Sequence, residues 1–116
     1  MREPIRDKAR LQHILDAIEK VLEYTKDIHS VEELDADSLR KHATTYNIQI
    51  ISEAIYKLTP EFKAAHTLTP WKMIEKSRHI LVHDYYQVEI RILWSIIHED
   101  MIPLRNQVQE YLKEFQ

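Results

Sequence analysis

Apolar residues near the start of the chain recur at Leu11, Ile14, Leu15, Ile18, Val21, Leu22 and Ile28, the three-and-four spacing of one helical face. The pattern predicts a long amphipathic helix over residues 5–28. Pro4 suits its beginning, where a missing N–H would have had no partner anyway. Residues 30–37 are polar and acidic, interrupted by Val31 and Leu34, and read as a short connection. Asp37 or Ser38 can cap a second helix, reaching about residue 58, by accepting bonds from its first free N–H groups. That helix carries Ala43, Tyr46, Ile50 and Ala54 on one stripe and Ile48, Ile51, Ile55 and Leu58 on another, so it is expected to lie between neighbours. Glu53 interrupts the apolar run. A partly buried carboxylate needs a cation or donors, and the expected partner is Arg78 or a backbone donor, the alternative being a place at the rim of the core.

Thr59-Pro60 breaks the pattern, and residues 61–66 are expected to add a further turn or two. Thr69 as cap and Pro70 in the first turn open a third main helix, with Trp71, Ile74, Arg78, Leu81 and Tyr85 along one face. From about residue 87 a last helical region bears Ile90, Leu93, Trp94, Ile97, Met101, Leu104, Val108, Tyr111, Leu112 and Phe115 on one stripe. Pro103 falls inside it and predicts a kink or break near residues 100–102. The fold class that results is all-α, an antiparallel bundle of four main helices with short helical segments, in a single domain over residues 1–116.

Composition narrows this further. The chain has 116 residues and no glycine, which leaves few positions tolerant of the positive φ that tight hairpins need. Cysteine is absent, so disulfides and thiolate metal sites are excluded. No apolar run approaches membrane-spanning length and the first residues lack a secretory pattern, so the expected location is the cytoplasm, with no membrane partner. The net charge of -3 argues against a long basic groove for nucleic acid and restricts any RNA contact to a local cleft.

Chemistry concentrates in residues 78–86, where Arg78, His79, His83, Asp84, Tyr85 and Tyr86 surround a few aliphatic side chains. Arginine presents a fork of donors suited to phosphate, and imidazole exchanges protons near neutral pH. At about 100° per residue, His83 would lie roughly 140° around one straight helix from Arg78. Either the helix ends and bends near Asp84, or a second copy of the chain completes the cleft. Arg78 as a structural ion pair, Tyr85 as a packed ring and Asp84 as a solvated carboxylate are the plainer readings. His79 and His83 face one side of a helix, but two imidazoles do not make a metal site, and His79 is expected to border the cleft. His13, His29, His42, His66 and His98 are expected at the surface.

Arg78, His83 and Tyr85 match an Arg-x4-His-x-Tyr motif, and in this the chain resembles the HepT-like ribonucleases, toxins of HEPN and minimal-nucleotidyltransferase pairs. Arg10-Leu11-Gln12-His13-Ile14 is similar to that family's first helix, Ile51-Ser52-Glu53-Ala54 to its Ile-Gly-Glu-Ala segment, and Trp71 with Ile74 to the approach to the motif. Ser52 stands where the family usually has glycine, and Lys76-Ser77 replaces a glycine-containing step. The resemblance implies a HEPN-like fold and a homodimer with the motif lining a two-fold cleft. It also implies an endoribonuclease that cuts RNA, whether tRNA or mRNA. In that activity Arg78 would hold the phosphate and His83 would serve in acid–base catalysis without metal or cofactor. Adenylylation of Tyr85 by the nucleotidyltransferase antitoxin would silence it. A noncatalytic subunit that presents nucleic acid or nucleotide to such an enzyme is the alternative.

Overall fold

The structure, a computed structural model, describes residues 4–83 and 87–115, and the side chains of residues 4, 5, 77–83 and 87 lie outside the described part. Helix α1 (Pro4–Thr25) buries the predicted stripe, Leu11, Ile14, Ile18 and Val21, together with Ala17. It stops before the predicted end because the Thr25 hydroxyl turns back to the Val21 carbonyl at 2.8 Å and the Ile28 N–H closes onto Thr25 at 3.0 Å. Ile28 remains in the core beyond the helix.

Residues 30–37 are more than a connection, for Val31–Ala36 forms a short helix, α2. Ser30 Oγ accepts the Glu33 N–H at 3.1 Å, the Glu33 carboxylate accepts the His29 N–H at 2.9 Å, and Leu34 is fully buried. Capping at one end and a single apolar anchor suffice for so short an element. Helix α3 (Ser38–Lys57) begins as predicted, with Asp37 accepting the Arg40 N–H at 3.0 Å.

The two apolar stripes of α3 are not equivalent. Ile48, Ile51, Ile55 and Leu58 are buried, whereas Tyr46 is 63% exposed and Ala43 and Ile50 are half-buried. Short polar side chains take inward positions instead: Thr45 Oγ1 donates to the Lys41 carbonyl at 2.8 Å and Asn47 Nδ2 to that of Ala43 at 2.9 Å. Bonding back onto their own helix satisfies these groups and lowers the cost of burying them.

Thr59 ends this stretch and caps α4 (Pro60–Ala65), accepting the Phe62 N–H at 3.1 Å. Its own N–H and hydroxyl donate to the buried Asp7 carboxylate at 2.8 and 2.7 Å. This joins the end of α3 to the start of α1, so the two helices run antiparallel. Helix α5 (Trp71–Leu81) leads into a two-residue antiparallel ladder, β1 (Val82–His83) with β2 (Gln87–Val88), which pairs Val82 with Val88 and His83 with Gln87. Apart from that ladder the fold is all-α, as predicted.

Helix α6 (Ile90–Ser95) continues into a π-helical turn at Ile96–Asp100 and then α7 (Met101–Leu112), closed by a 3₁₀ turn at Lys113–Phe115. The π turn stands where Pro103 predicts a disturbance. Proline offers no N–H to the carbonyl four residues back and its ring crowds that carbonyl, and a wider turn relieves both. Met101, Leu104, Val108 and Tyr111 of α7 then face the core, and α7 packs on α1. No helix among the described residues is long and apolar enough to cross a membrane.

Candidate functional site

Residues 78–81 belong to α5, which is held at its start and near its middle. At its start the Trp71 N–H donates to the Thr69 carbonyl at 2.9 Å and the Trp71 indole N–H to the His66 carbonyl at 2.9 Å. The Thr69 hydroxyl, expected as the helix cap, instead bonds Gln107 Oε1 at 2.6 Å and the Tyr111 hydroxyl at 2.7 Å. It ties the entrance of α5 to α7, a stronger use for a nearly fully buried hydroxyl than an open helix end.

His66 departs from its expected surface position. Its ring stacks on Phe62 at 4.0 Å and meets Tyr111 edge-on at 4.7 Å, while Nδ1 faces the Phe62 carbonyl at 2.8 Å and Nε2 the Glu114 carboxylate at 2.9 Å. The aromatic group of Phe62, His66, Trp71 and Tyr111 thus packs α4, α5 and α7 into one support beneath the motif helix. His13, His29, His42 and His98 are exposed, as predicted.

Farther along, Ser52 Oγ donates to the Glu75 carbonyl at 2.7 Å, linking α3 to α5 three residues before Arg78. Ser52 is 1% exposed, so this bond is made away from water. The serine that stands in place of the family's glycine is therefore an anchor, and a buried serine in an apolar helical run is the signal that marks it. Glu53, the next residue, takes the rim of the core, one of its two expected places, while its expected pairing with Arg78 involves a side chain outside the described residues. It points away from the core, 54% exposed and 3.4 Å from Lys57 Nζ, because one step along α3 turns it about 100° from Ser52.

The helix ends at Leu81, so Arg78 and His79 belong to the last turn of α5 and His83 to β1. The 140° separation on a straight helix does not apply, since the backbone changes course between Arg78 and His83. Asp84, Tyr85 and Tyr86 lie outside the described residues, as do the side chains of Arg78, His79 and His83. On the stem of the motif helix, Met73 and Ile74 share a cavity of about 120 Å³ with Glu99, Asp100, Pro103 and Leu104. Burial, with Glu99 beside it, pushes the Asp100 carboxyl above its ordinary range.

Residues 14–111 match the family described as ribonuclease HepT-like. A protein of Caldanaerobacter subterraneus subsp. tengcongensis, provisionally named an RNase, is 36% identical over 104 residues, covering 90% of this chain and 92% of its own. A Methanocaldococcus jannaschii protein, named a gamma-glutamylcyclotransferase and provisionally an RNase, is 32% identical over 107 residues, covering 92% of this chain and 48% of its own. A Thermococcus cleftensis protein named a probable ribonuclease HepT is 31% identical over 106 residues, covering 91% of this chain and 96% of its own. No solved structure gives a significant match. With the family's pattern matched from within α1 to the end of α7, the chain belongs to the HepT-like ribonuclease family.

Proposed function

We propose that this chain is a metal-independent endoribonuclease, the toxin of a HEPN and minimal-nucleotidyltransferase pair, acting in the cytoplasm as a single-domain homodimer. The observation that carries the reading is that the family match over residues 14–111 takes in the whole Arg78-x4-His83-x-Tyr85 stretch. Arg78 holds the scissile phosphate and stabilises the charge that develops on it, as a charge-assisted fork of donors can. His83 takes the proton from the ribose 2′-OH or gives one to the departing 5′-oxygen. Attack by the 2′-oxygen breaks the P–O5′ bond and leaves a 2′,3′-cyclic phosphate and a 5′-hydroxyl, so DNA, which lacks that nucleophile, is spared. His79 and Asp84 border the cleft. Transfer of an adenylyl group to Tyr85 by the antitoxin places a bulky anion beside Arg78 and blocks the phosphate site by charge and volume.

The test is cleavage of tRNA and total RNA by purified protein in EDTA. Wild type should cut and leave cyclic-phosphate ends. Folded His83→Ala should lose about 10²-fold to 10⁴-fold in rate, the usual contribution of a general acid or base. RNA that is bound but never cut by the unmodified wild type would set the nuclease aside in favour of the noncatalytic binding subunit.

A further inference from the structure

Helices α1 and α3 carry a second arrangement of polar groups. Arg10 and His13 of α1 and Tyr46, Gln49, Glu53 and Lys57 of α3 line an open groove of about 340 Å³. Helical spacing builds it, since Arg10 and His13 share a face of α1, and Tyr46, Glu53 and Lys57 a face of α3. Tyr46 is 63% exposed, a large ring held in water at the edge of the groove. Lys57 is 3.4 Å from Glu53, and Arg10 stands on the opposite helix. Arg6, exposed one turn before Arg10, extends the basic edge.

A nucleotide suits this combination. An exposed phenol ring offers a stacking platform that any base can use. Arg10 and Lys57 supply charge for a phosphate on two walls. Glu53 and Gln49 can accept bonds from amino groups on a base edge, as carboxylates and amides do in base readout. Among the described residues Ile50 and Ala54 are the aliphatic ones that line the groove, and six polar or charged side chains surround them. In a chain of net charge -3, such a local site is also a form of RNA contact that the overall charge allows.

We propose that this groove holds one nucleotide of a single-stranded RNA, outside the Arg78 and His83 site. The inference rests on the ribonuclease reading for the identity of its ligand. Its place supports it: Glu53 lines the groove, and Ser52, the residue beside it on α3, bonds the Glu75 carbonyl of the motif helix, so the groove and that helix share α3 as a wall. The groove raises affinity for RNA and leaves the chemical step alone.

Binding is measured apart from scission with a labelled 2′-O-methyl single-stranded RNA, which lacks the attacking hydroxyl, by fluorescence anisotropy. Tyr46→Ala should weaken binding about tenfold, the scale of one lost stacked base, and Tyr46→Phe should keep it. Arg10→Ala should lower the slope of log K against log salt by about 0.7, one phosphate contact on a single strand. On cleavable RNA, Tyr46→Ala should raise KM and leave kcat unchanged. Unchanged affinity and salt slope in folded variants overturn the groove even when wild type cuts RNA. Variants that bind RNA normally but change oligomeric state overturn it too, and assign the face to a second copy. Tyr46-dependent binding by a wild type that cuts nothing upholds the groove and overturns the nuclease reading.

Discussion

Asp100 stands where the chain leaves its π turn for α7, half-buried and next to Glu99. Burial disfavours its charged form, with repulsion from Glu99 adding to the effect, so its folded pKa lies above the unfolded one. Between the two values the folded chain holds a proton that the unfolded chain has released. This contribution to stability is therefore full below the unfolded pKa and is lost as pH rises through the folded pKa. Asp100→Asn keeps the shape and removes the charge. It should raise stability at neutral pH by a few tenths of a kcal/mol, since solvent screens a partly exposed group, and leave acid stability unchanged. Urea melts at both pH values check it, and equal gains at both would contradict the assignment. Tyr85 gives a second test at this scale. If its hydroxyl serves regulation, Tyr85→Phe should cut RNA at close to the wild-type rate and escape adenylylation, and loss of cleavage in a folded variant would give the hydroxyl a part in the chemistry.

Among the elements, α3 shows what was legible in the sequence and what was not. Its bounds follow from Asp37 as cap and from the Thr59-Pro60 break, both local signals. Which of its two apolar stripes faces inward does not follow, because Thr45, Asn47 and Ser52 can be buried once their polar atoms find carbonyls, and those partners exist only in the folded chain. Helix α2 was hidden by its length, although Ser30 followed three residues later by Glu33 was a readable start signal. His66 was hidden for another reason: Glu114 and Tyr111 reach it from the far end of the chain. The residues of the candidate site were legible as a motif, whereas the helix end at Leu81 was not, since Arg78 to Leu81 continues the helical repeat without a stop signal. The α3–α5 link carries its own prediction. Ser52→Ala removes one buried bond to a carbonyl and should cost about 1 kcal/mol. Ser52→Gly, the family's usual residue, should cost a further 0.5–1 kcal/mol or so through backbone entropy. Thermal melts measure both, and no loss in Ser52→Ala would show that the hydroxyl does not anchor α5.

For the whole molecule the question is how Arg78 and His83, in the roles proposed for them, would come to serve one phosphate. They lie on either side of a helix end, and His83 sits in a ladder of only two residue pairs. An isolated two-stranded ladder is marginal in water, so this one gains if a second copy packs on it. A two-fold axis there would place each motif beside its own copy, which is how an isologous contact brings one patch against itself. In a shared cleft of that kind, an arginine from one copy can work with a histidine from its partner. The proposed homodimer then predicts complementation. Arg78→Ala and His83→Ala chains, each inactive alone, should regain part of the wild-type cleavage when unfolded together and refolded as mixed dimers, because one Arg78 and one His83 then meet across the axis. Copurification through a tag on one chain shows that mixed dimers form, and wild type treated in the same way shows that refolding restores activity. Mixed dimers that remain inactive would mean that each chain needs its own Arg78 and His83 together, and the turn after Leu81 would then have to bring both to the phosphate within a single copy.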